Sequence, residues 1–268
     1  EIAKIGMILV LANFFSRNQA RINNPVTLLA GFILTMGITG WILLQPNLST
    51  SILIFAILGV MIFASGLKIR YIMLAGFGGL VLLALLVPLL LNPEVVNDDS
   101  LIKPYQIDRI TNFVFPDEEA SYGEQYNVQQ ALITIGSGGW LGKGYGQGTQ
   151  SQLRFIKVRH TDFIFSVIAE EFGLVGASLL IVVQFLVIFR CLRAARLARD
   201  TYGALIAYGV ATQLSFQAIV NIGMNLQLLP VTGLPLPFVS YGGSALLTMF
   251  AAIGLVQSVI IRHKSLEL

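Results

Sequence analysis

The sequence predicts an all-α polytopic membrane protein with about seven transmembrane helices and a large extracytoplasmic loop that carries short interfacial helices. Of its 268 residues, 55% are hydrophobic and only 12% are charged, whereas a soluble domain carries roughly 25% charged residues. Apolar runs of about 20 residues recur, and each is long enough to cross a hydrocarbon core of roughly 30 Å. Lysine and arginine gather between alternate runs, as in loops on the cytoplasmic side.

The predicted helices form one transmembrane domain, 1–268, in which 93–161 is a large extracytoplasmic loop. The chain begins at Glu1, almost inside an apolar run, so we expect further residues to precede it in the protein. Gln45-Pro46-Asn47-Leu48 is interpreted as a tight proline turn between two helices. The single cysteine, Cys191, excludes an intrachain disulfide framework. The seven apolar segments lie at 3–16, 26–44, 49–66, 70–92, 162–189, 203–226 and 240–261.

Positive charge sets the predicted orientation. The loops rich in lysine and arginine all lie on one side if the seven segments cross, and the positive-inside rule makes that side cytoplasmic. The opposite face receives Glu1, the proline turn, the 93–161 loop and the 228–243 connection, so a site built from these segments faces outward. The cations that set the orientation are Arg17, Arg21, Lys68, Arg70, Arg190, Arg193, Arg196, Arg199, Arg262 and Lys264.

The long loop contains three kinds of sequence. Its acidic first part, 92–124, includes Arg109 and is typical of a solvated loop. The next part, 126–135, mixes polar and apolar residues and predicts a helix that lies in the interface or between the spanning helices. A glycine-rich run at 142–150 then carries Lys143, but it fails the test for a nucleotide phosphate loop. It is either a flexible loop or a set of backbone N–H groups and one lysine that bind a pyrophosphate.

The string RHTDFIF at 159–165 joins a cation, an imidazole, a hydroxyl and a carboxylate to the start of a predicted spanning helix. Asp162 lies at the outer membrane boundary, which makes it a candidate for chemistry on a lipid-linked substrate. The alternative is that Asp162 caps the helix, since acids are favoured at helix N termini. His160 is either a site residue or a hydrogen-bonding loop residue, and Arg159 is either a site residue or an interfacial anchor.

Charged and irregular sequence also occurs within the apolar segments. Glu170 and Glu171 lie two turns into the fifth segment, where structural and functional roles both remain open for intramembrane acids. Lys4 either snorkels to the interface or binds an anionic head group. The stretch 221–244 is broken by proline and glycine, and it predicts either a re-entrant structural loop or the lining of a substrate site.

Three long strings resemble the SEDS family, which comprises the shape, elongation, division and sporulation proteins RodA and FtsW. They are IGSGGWLGKGYGQGTQSQLRF at 135–155, RHTDFIFSVIAEEFGLVG at 159–176 and NIGMNLQLLPVTGLPLPFVSYGGSA at 221–245. EIAKIGMILVLA and QPNLS match in the same order, and GTQSQLRF and RHTDFIF favour the RodA branch. The chain departs from the family's QPDLG at Asn47 and from a common Pro-Glu at Lys157-Val158, which puts any cation site there in doubt.

The resemblance implies a peptidoglycan glycosyltransferase that polymerises lipid II into glycan strands on the outer face of the bacterial cytoplasmic membrane, for cell elongation and shape. It implies a fold of about ten spanning helices, of which about seven are present here. The expected partners are lipid II, membrane lipids and a class B penicillin-binding protein, and no nucleic acid is expected. No cofactor is certain, although a divalent cation (Mg²⁺ or Mn²⁺) is compatible with the charged leaving group.

Asp162 matches the family's essential acid, and we assign it the role of general base toward the 4-hydroxyl of the acceptor sugar. The leaving group is undecaprenyl pyrophosphate, so cations must neutralise it as it departs. Two alternatives stay open: a lipid II flippase, which needs polar residues along the whole path across the membrane, and a non-catalytic scaffold of the elongation or division machinery. The other expected site residues are Lys4, Arg109, Gln130, Lys143, Arg159, His160 and Thr161.

Overall fold

The computed structural model describes residues 1–45, 47–68, 70–71, 73–74, 78, 81, 109, 113, 124–153 and 161–264. Every regular element in these ranges is helical. The elements are α1 (Ile2–Arg17), a short 3-10 helix (Gln19–Arg21), α2 (Pro25–Leu44), α3 (Leu48–Ala64), α4 (Glu124–Ser137), α5 (Thr149–Gln152), α6 (Ile164–Leu197), α7 (Thr201–Asn225) and α8 (Gly243–Lys264).

The helices agree with the all-α polytopic prediction. Four of them are long and apolar enough to cross a membrane, namely α2, α6, α7 and the Gly243–Arg262 part of α8. Helices α1 and α3 have 16 and 17 residues and coincide with the first and third predicted segments. The predicted segment 70–92 lies largely outside the described residues. The chain is a multi-pass membrane protein, and the fold-class prediction is confirmed.

Local sequence explains where three of the helices begin. Asn24 precedes α2, its Oδ1 accepts a hydrogen bond from the Val26 N–H at 3.0 Å, and Pro25 occupies the first helical position. Proline is favoured there because its missing N–H has no partner to lose. Asn47 and Asp200 cap α3 and α7 in the same way, by accepting from the backbone N–H groups of Thr50 and Gly203.

Helix α7 lies at the centre of the bundle. Its most apolar stretch is 67% buried, compared with 17–28% in the other three candidate spans. It packs against α1, α3, α6 and α8. The main core joins three of these helices through Met7, Ile8 and Leu11 of α1, Leu53, Ile57 and Met61 of α3, and Leu205, Val210 and Leu214 of α7.

The predicted interfacial helix is present as α4. Its 14 residues span about 21 Å at 1.5 Å per residue, which is too short to cross the hydrocarbon core. It packs on α6 and, more lightly, on α7, and its Ala131 is buried with Phe163 just before α6 begins. The sequence places the helix end at the glycine run, and the helix ends at Ser137.

Helix α6 is interrupted near its start by Gly173, whose backbone has φ 67° and ψ −167°. The glycine-rich loop forms hydrogen bonds with the backbone groups of α6 on both sides of this interruption. The N–H groups of Lys143 and Gly144 donate to the carbonyls of Glu170 and Glu171, both at 2.9 Å. The loop also provides acceptors to the next turn of the helix. The Leu174 N–H donates to the Gly139 carbonyl at 2.9 Å, and the Val175 N–H donates to the Trp140 carbonyl at 3.2 Å.

This exchange satisfies backbone groups that a helix break would otherwise leave without partners inside an apolar environment. It requires glycine at three points of close approach between the loop and α6, namely Gly138, Gly142 and Gly173. A Cβ on Gly173 would overlap the backbone of Gly142 and Trp140, and a Cβ on Gly142 would overlap the backbone of Glu171. The glycine-rich loop is therefore an ordered part of the bundle, and the flexible-loop interpretation is wrong for its backbone.

Candidate active site

Asp162 lies just before α6, at the end of the bundle where α7 ends and α3 begins. The helix starts at Ile164 with Phe163 as its N-cap residue, so Asp162 is not the N-cap that the alternative interpretation required. Its side chain is half-buried and faces the segment between α7 and α8. A Cβ built on Gly233 of that segment would come within 4.0 Å of Asp162 Oδ2.

The segment between α7 and α8, 226–242, is non-helical and is anchored by buried side chains. Ser240 Oγ accepts from the Leu236 N–H at 2.8 Å and donates to the Thr161 carbonyl at 2.7 Å. Gln184, from the middle of α6, donates to the Pro237 carbonyl at 2.6 Å. Phe238 adopts a φ of 62°, an outlier for a bulky residue. The segment is thus a fixed wall beside Asp162, stabilised by side chains from neighbouring elements.

Ser49 connects this wall to α3. Its hydroxyl donates to the Thr232 carbonyl at 2.7 Å. Asn221 of α7 donates to the Leu234 carbonyl at 2.8 Å. The acid, the broken segment and the ends of three helices therefore form one cluster, which the sequence predicted only as separate strings.

Lys143 and Glu170 form the central polar contact of the glycine-rich loop. The Glu170 carboxylate is fully buried, and the Lys143 ammonium contacts it at 2.8 Å while remaining 27% exposed. Lys143 therefore forms an ion pair with a carboxylate of the protein, so its charge is already partly neutralised before any pyrophosphate binds. The same cluster includes Ser137 and Thr149 around the ammonium, at 2.9 and 2.7 Å, and the N–H groups of Gln150 and Ser151, which donate to Glu170 at 2.9 and 3.1 Å.

Lys4 is also paired. Its Nζ lies 2.6 Å from Glu1 Oε1, and the Lys4 side chain is 1% exposed. Of the two alternatives for Lys4, snorkelling to the interface is therefore absent, because the side chain is buried in the bundle.

The remaining predicted site residues are placed to different extents. Thr161 is half-buried and accepts from Ser240 through its carbonyl. Gln130 is half-buried on α4, next to the Ala131 that packs on Phe163. Arg109 is half-buried and helical. Arg159 and His160 lie outside the described residues.

Two functional candidates were not recognised as such from the sequence. Asn221 and Asn225 are fully buried and donate to the Asp162 carbonyl at 3.1 and 3.0 Å. Their spacing of four residues within an apolar helix was a usable signal, since such a spacing places two amides on one helix face. Glu170 was recognised as a candidate, but its partner Lys143 is 27 residues away and no local pattern identifies it.

A metal site is not evident among the described residues. No three His, Cys, Asp or Glu side chains in those ranges form a group able to hold a metal ion.

Comparison with known proteins identifies the family of the chain. The model of the cell cycle protein family FtsW, RodA and SpoVE matches residues 1–265. The chain is 41% identical over 271 residues to the peptidoglycan glycosyltransferase MrdB of Escherichia coli K12, covering all of this chain and 69% of that protein. It is 37% identical over 276 residues to the probable peptidoglycan glycosyltransferase FtsW of Francisella salina, covering 99% of this chain and 63% of that protein.

Solved structures give the same result for the fold. A chain from a structure described as the structural coordination of polymerization and crosslinking by a peptidoglycan synthase complex matches with a TM-score of 0.77 at 33% identity, covering 98% of this chain and 69% of that one. The rod shape determining protein RodA of Thermus thermophilus matches with a TM-score of 0.59 at 28% identity, covering 97% of this chain and 63% of that one.

Proposed function

The chain belongs to the FtsW, RodA and SpoVE family of cell cycle proteins, and on that premise we propose that it acts as a peptidoglycan glycosyltransferase for cell elongation and shape. It polymerises lipid II on the outer face of the bacterial cytoplasmic membrane. The names of its relatives MrdB and FtsW support the activity. The similarity to a peptidoglycan synthase complex supports a class B penicillin-binding protein as the partner.

In the proposed reaction, the 4-hydroxyl of an acceptor sugar attacks the anomeric carbon of a lipid II donor. A new glycosidic bond forms, the bond from that carbon to the pyrophosphate oxygen breaks, and undecaprenyl pyrophosphate leaves. Asp162 removes the proton from the attacking hydroxyl, because a sugar hydroxyl is a weak nucleophile without a base. The observation that carries this assignment is the half-buried Asp162 carboxylate, which precedes α6 and faces Gly233.

The charge of the leaving group requires cations. Of the four predicted candidates, Lys4 and Lys143 already have carboxylate partners. Lys143 therefore acts mainly through the loop that it anchors, and Arg109 and Arg159 stay proposed candidates for the pyrophosphate.

The test is polymerisation of labelled lipid II by the purified full-length protein with its partner. Asp162→Asn should reduce the rate by about 10²–10⁴-fold, the usual contribution of a general base, while lipid II still binds. Asp200→Asn is the matched control, since Asp200 caps α7 and asparagine caps equally well. Polymerisation by Asp162→Asn at the wild-type rate would show that the base is a different group.

A lipid II flippase is the second candidate. One observation favours it: Gln213 and Gln217 are fully buried and extend the polar face of α7 about 18 Å inward from Asn225, at 1.5 Å per residue. Supplying lipid II already on the outer face separates the two functions, because a flippase then has no remaining role. A scaffold is separated by the same Asp162→Asn variant, which would complement a deletion strain if the acid had no catalytic role.

A further inference from the structure

The carboxamide of Asn225 occupies the position of a helical hydrogen bond at the start of α6. If that helix extended one residue further, the Ser166 N–H would donate to the Asp162 carbonyl. Instead, the Ser166 N–H donates to Asn225 Oδ1 at 3.3 Å, and Asn225 Nδ2 donates to the Asp162 carbonyl at 3.0 Å. The amide of one helix is thus inserted between two backbone groups of another and keeps Asp162 outside the helix.

A second amide and one hydroxyl reinforce this arrangement. Asn221 Nδ2 donates to the same Asp162 carbonyl at 3.1 Å, and Ser240 donates to the preceding carbonyl, that of Thr161, at 2.7 Å. Both asparagines are fully buried, and both hydrogens of each amide are used. Two consecutive carbonyls are therefore fixed by side chains from α7 and from the segment that follows it.

We propose that Asn225 and Asn221 are positioning residues for the reaction: they fix the backbone of Asp162 so that its carboxylate points toward the acceptor hydroxyl rather than toward the α6 N terminus. This inference rests on the proposed role of Asp162 as general base. A base must lie within about 2.6–3.2 Å of the proton that it removes. A misplacement of about 1 Å costs on the order of 100-fold in rate.

The consequence of losing Asn225 follows from its two partners. The Ser166 N–H would lose its present partner and the Asp162 carbonyl would keep only Asn221, which is unfavourable for polar groups at a buried position. The Ser166 N–H could then donate directly to the Asp162 carbonyl, and this helical hydrogen bond would add one residue to α6. Asp162 would then be drawn toward the cap of the helix, where acids are favoured by the free N–H groups.

The experiment compares Asn225→Leu with Gln217→Leu in the full-length protein and its partner. Gln217 is the matched control, because it lies two turns away on the same face of α7, is fully buried, and its amide makes no hydrogen bond within the part of the chain that the structure describes. We expect Asn225→Leu to lower kcat for lipid II polymerisation by about 10–100-fold with KM changed less than about 3-fold. Gln217→Leu should retain wild-type kcat, and Asn225→Gln, which keeps an amide, should be intermediate.

A purely structural role predicts a different result. Three results would indicate a purely structural role: Asn225→Leu keeps wild-type kcat, Gln217→Leu loses as much activity as Asn225→Leu, or KM rises as much as kcat falls. Each of these results overturns the proposal. Asn225→Ser gives the same comparison if Asn225→Leu does not fold, since a serine is too short to bridge the two backbone groups. If Asp162→Asn is inactive while Asn225→Leu is fully active, only the positioning role fails. If Asp162→Asn is active, the proposed base fails instead.

Discussion

The two acids at the start of α6 have opposite surroundings, although only eight residues separate them. Asp162 is half-buried and faces the segment between α7 and α8. Glu170 is enclosed by an ammonium, two hydroxyls and two backbone N–H groups. A fully buried carboxylate that accepts from several groups of the protein is a poor base, whereas a carboxylate that is only partly buried can be reached by a substrate. This contrast supports chemistry at Asp162 and a structural role for Glu170.

The contact between Lys143 and Glu170 should be energetically coupled. Lys143→Met and Glu170→Gln should each lower the midpoint of thermal unfolding, because the first leaves the buried Glu170 without its charged partner and the second leaves the partly exposed Lys143 without its own. The double variant should lose less free energy of unfolding than the two single variants lose together. The coupling free energy should be about 0.5–3 kcal/mol, toward the lower end because Lys143 is partly exposed. The measurement is a double-mutant cycle by thermal unfolding in detergent, and strict additivity would show that the two side chains act independently.

At the level of elements, the glycine-rich loop and α6 form one unit. The loop supplies both donors and acceptors to the turn interrupted at Gly173, so neither part has complete backbone hydrogen bonding without the other. The loop therefore has a defined conformation beside Glu170, and its backbone N–H groups at Lys143 and Gly144 are already used. These two N–H groups are therefore not available to bind a pyrophosphate.

Gly173→Ala tests this unit. Alanine has no access to the φ of 67° at low cost, and its Cβ would overlap the loop backbone, so the loop should detach from α6. We expect faster proteolytic cleavage within 138–150 and a lower unfolding temperature. Gly254→Ala on α8 is the control, because a Cβ there meets nothing within 4 Å and alanine favours a helix. Equal protease resistance in both variants would contradict the role assigned to Gly173.

At the level of the whole molecule, α7 organises the bundle and carries its polar face. Gln213, Gln217, Asn221 and Asn225 recur every four residues and are all fully buried. The two asparagines have partners at the Asp162 end, whereas the amides of the two glutamines have none among the described residues. The amides on this face therefore have hydrogen-bond partners at the end of α7 that contacts Asp162 and the segment between α7 and α8.

The proposed orientation places that end outside the cell. In a background where the buried Cys191 is replaced by alanine, Tyr145→Cys should react with a membrane-impermeant maleimide on intact cells, since Tyr145 is 84% exposed in the glycine-rich loop. Arg199→Cys, in the exposed turn between α6 and α7, should react only after the membrane is permeabilised. Labelling of Arg199→Cys on intact cells would reverse the topology and move Asp162 to the cytoplasmic side.

Much of this protein could be predicted from the sequence because the relevant signals are local. The length of an apolar run determines whether a helix can cross a membrane, and the position of arginine and lysine determines its orientation. Helices α1, α2, α3, α7 and α8 agree with the predicted segments within a few residues. The resemblance to the SEDS family, now confirmed, rests on long strings that need no tertiary information.

Other properties depended on the tertiary structure, because a hydrogen-bond partner is chosen by the fold and not by distance along the chain. Lys143, expected to face a pyrophosphate, is paired with Glu170, and Lys4 is buried with Glu1. Asn225 lies 63 residues from Asp162, yet its amide replaces the hydrogen bond that would have drawn this acid into α6. The sequence by itself determined which acid is the candidate base, and the packing of α7 against α6 decided how that acid is held.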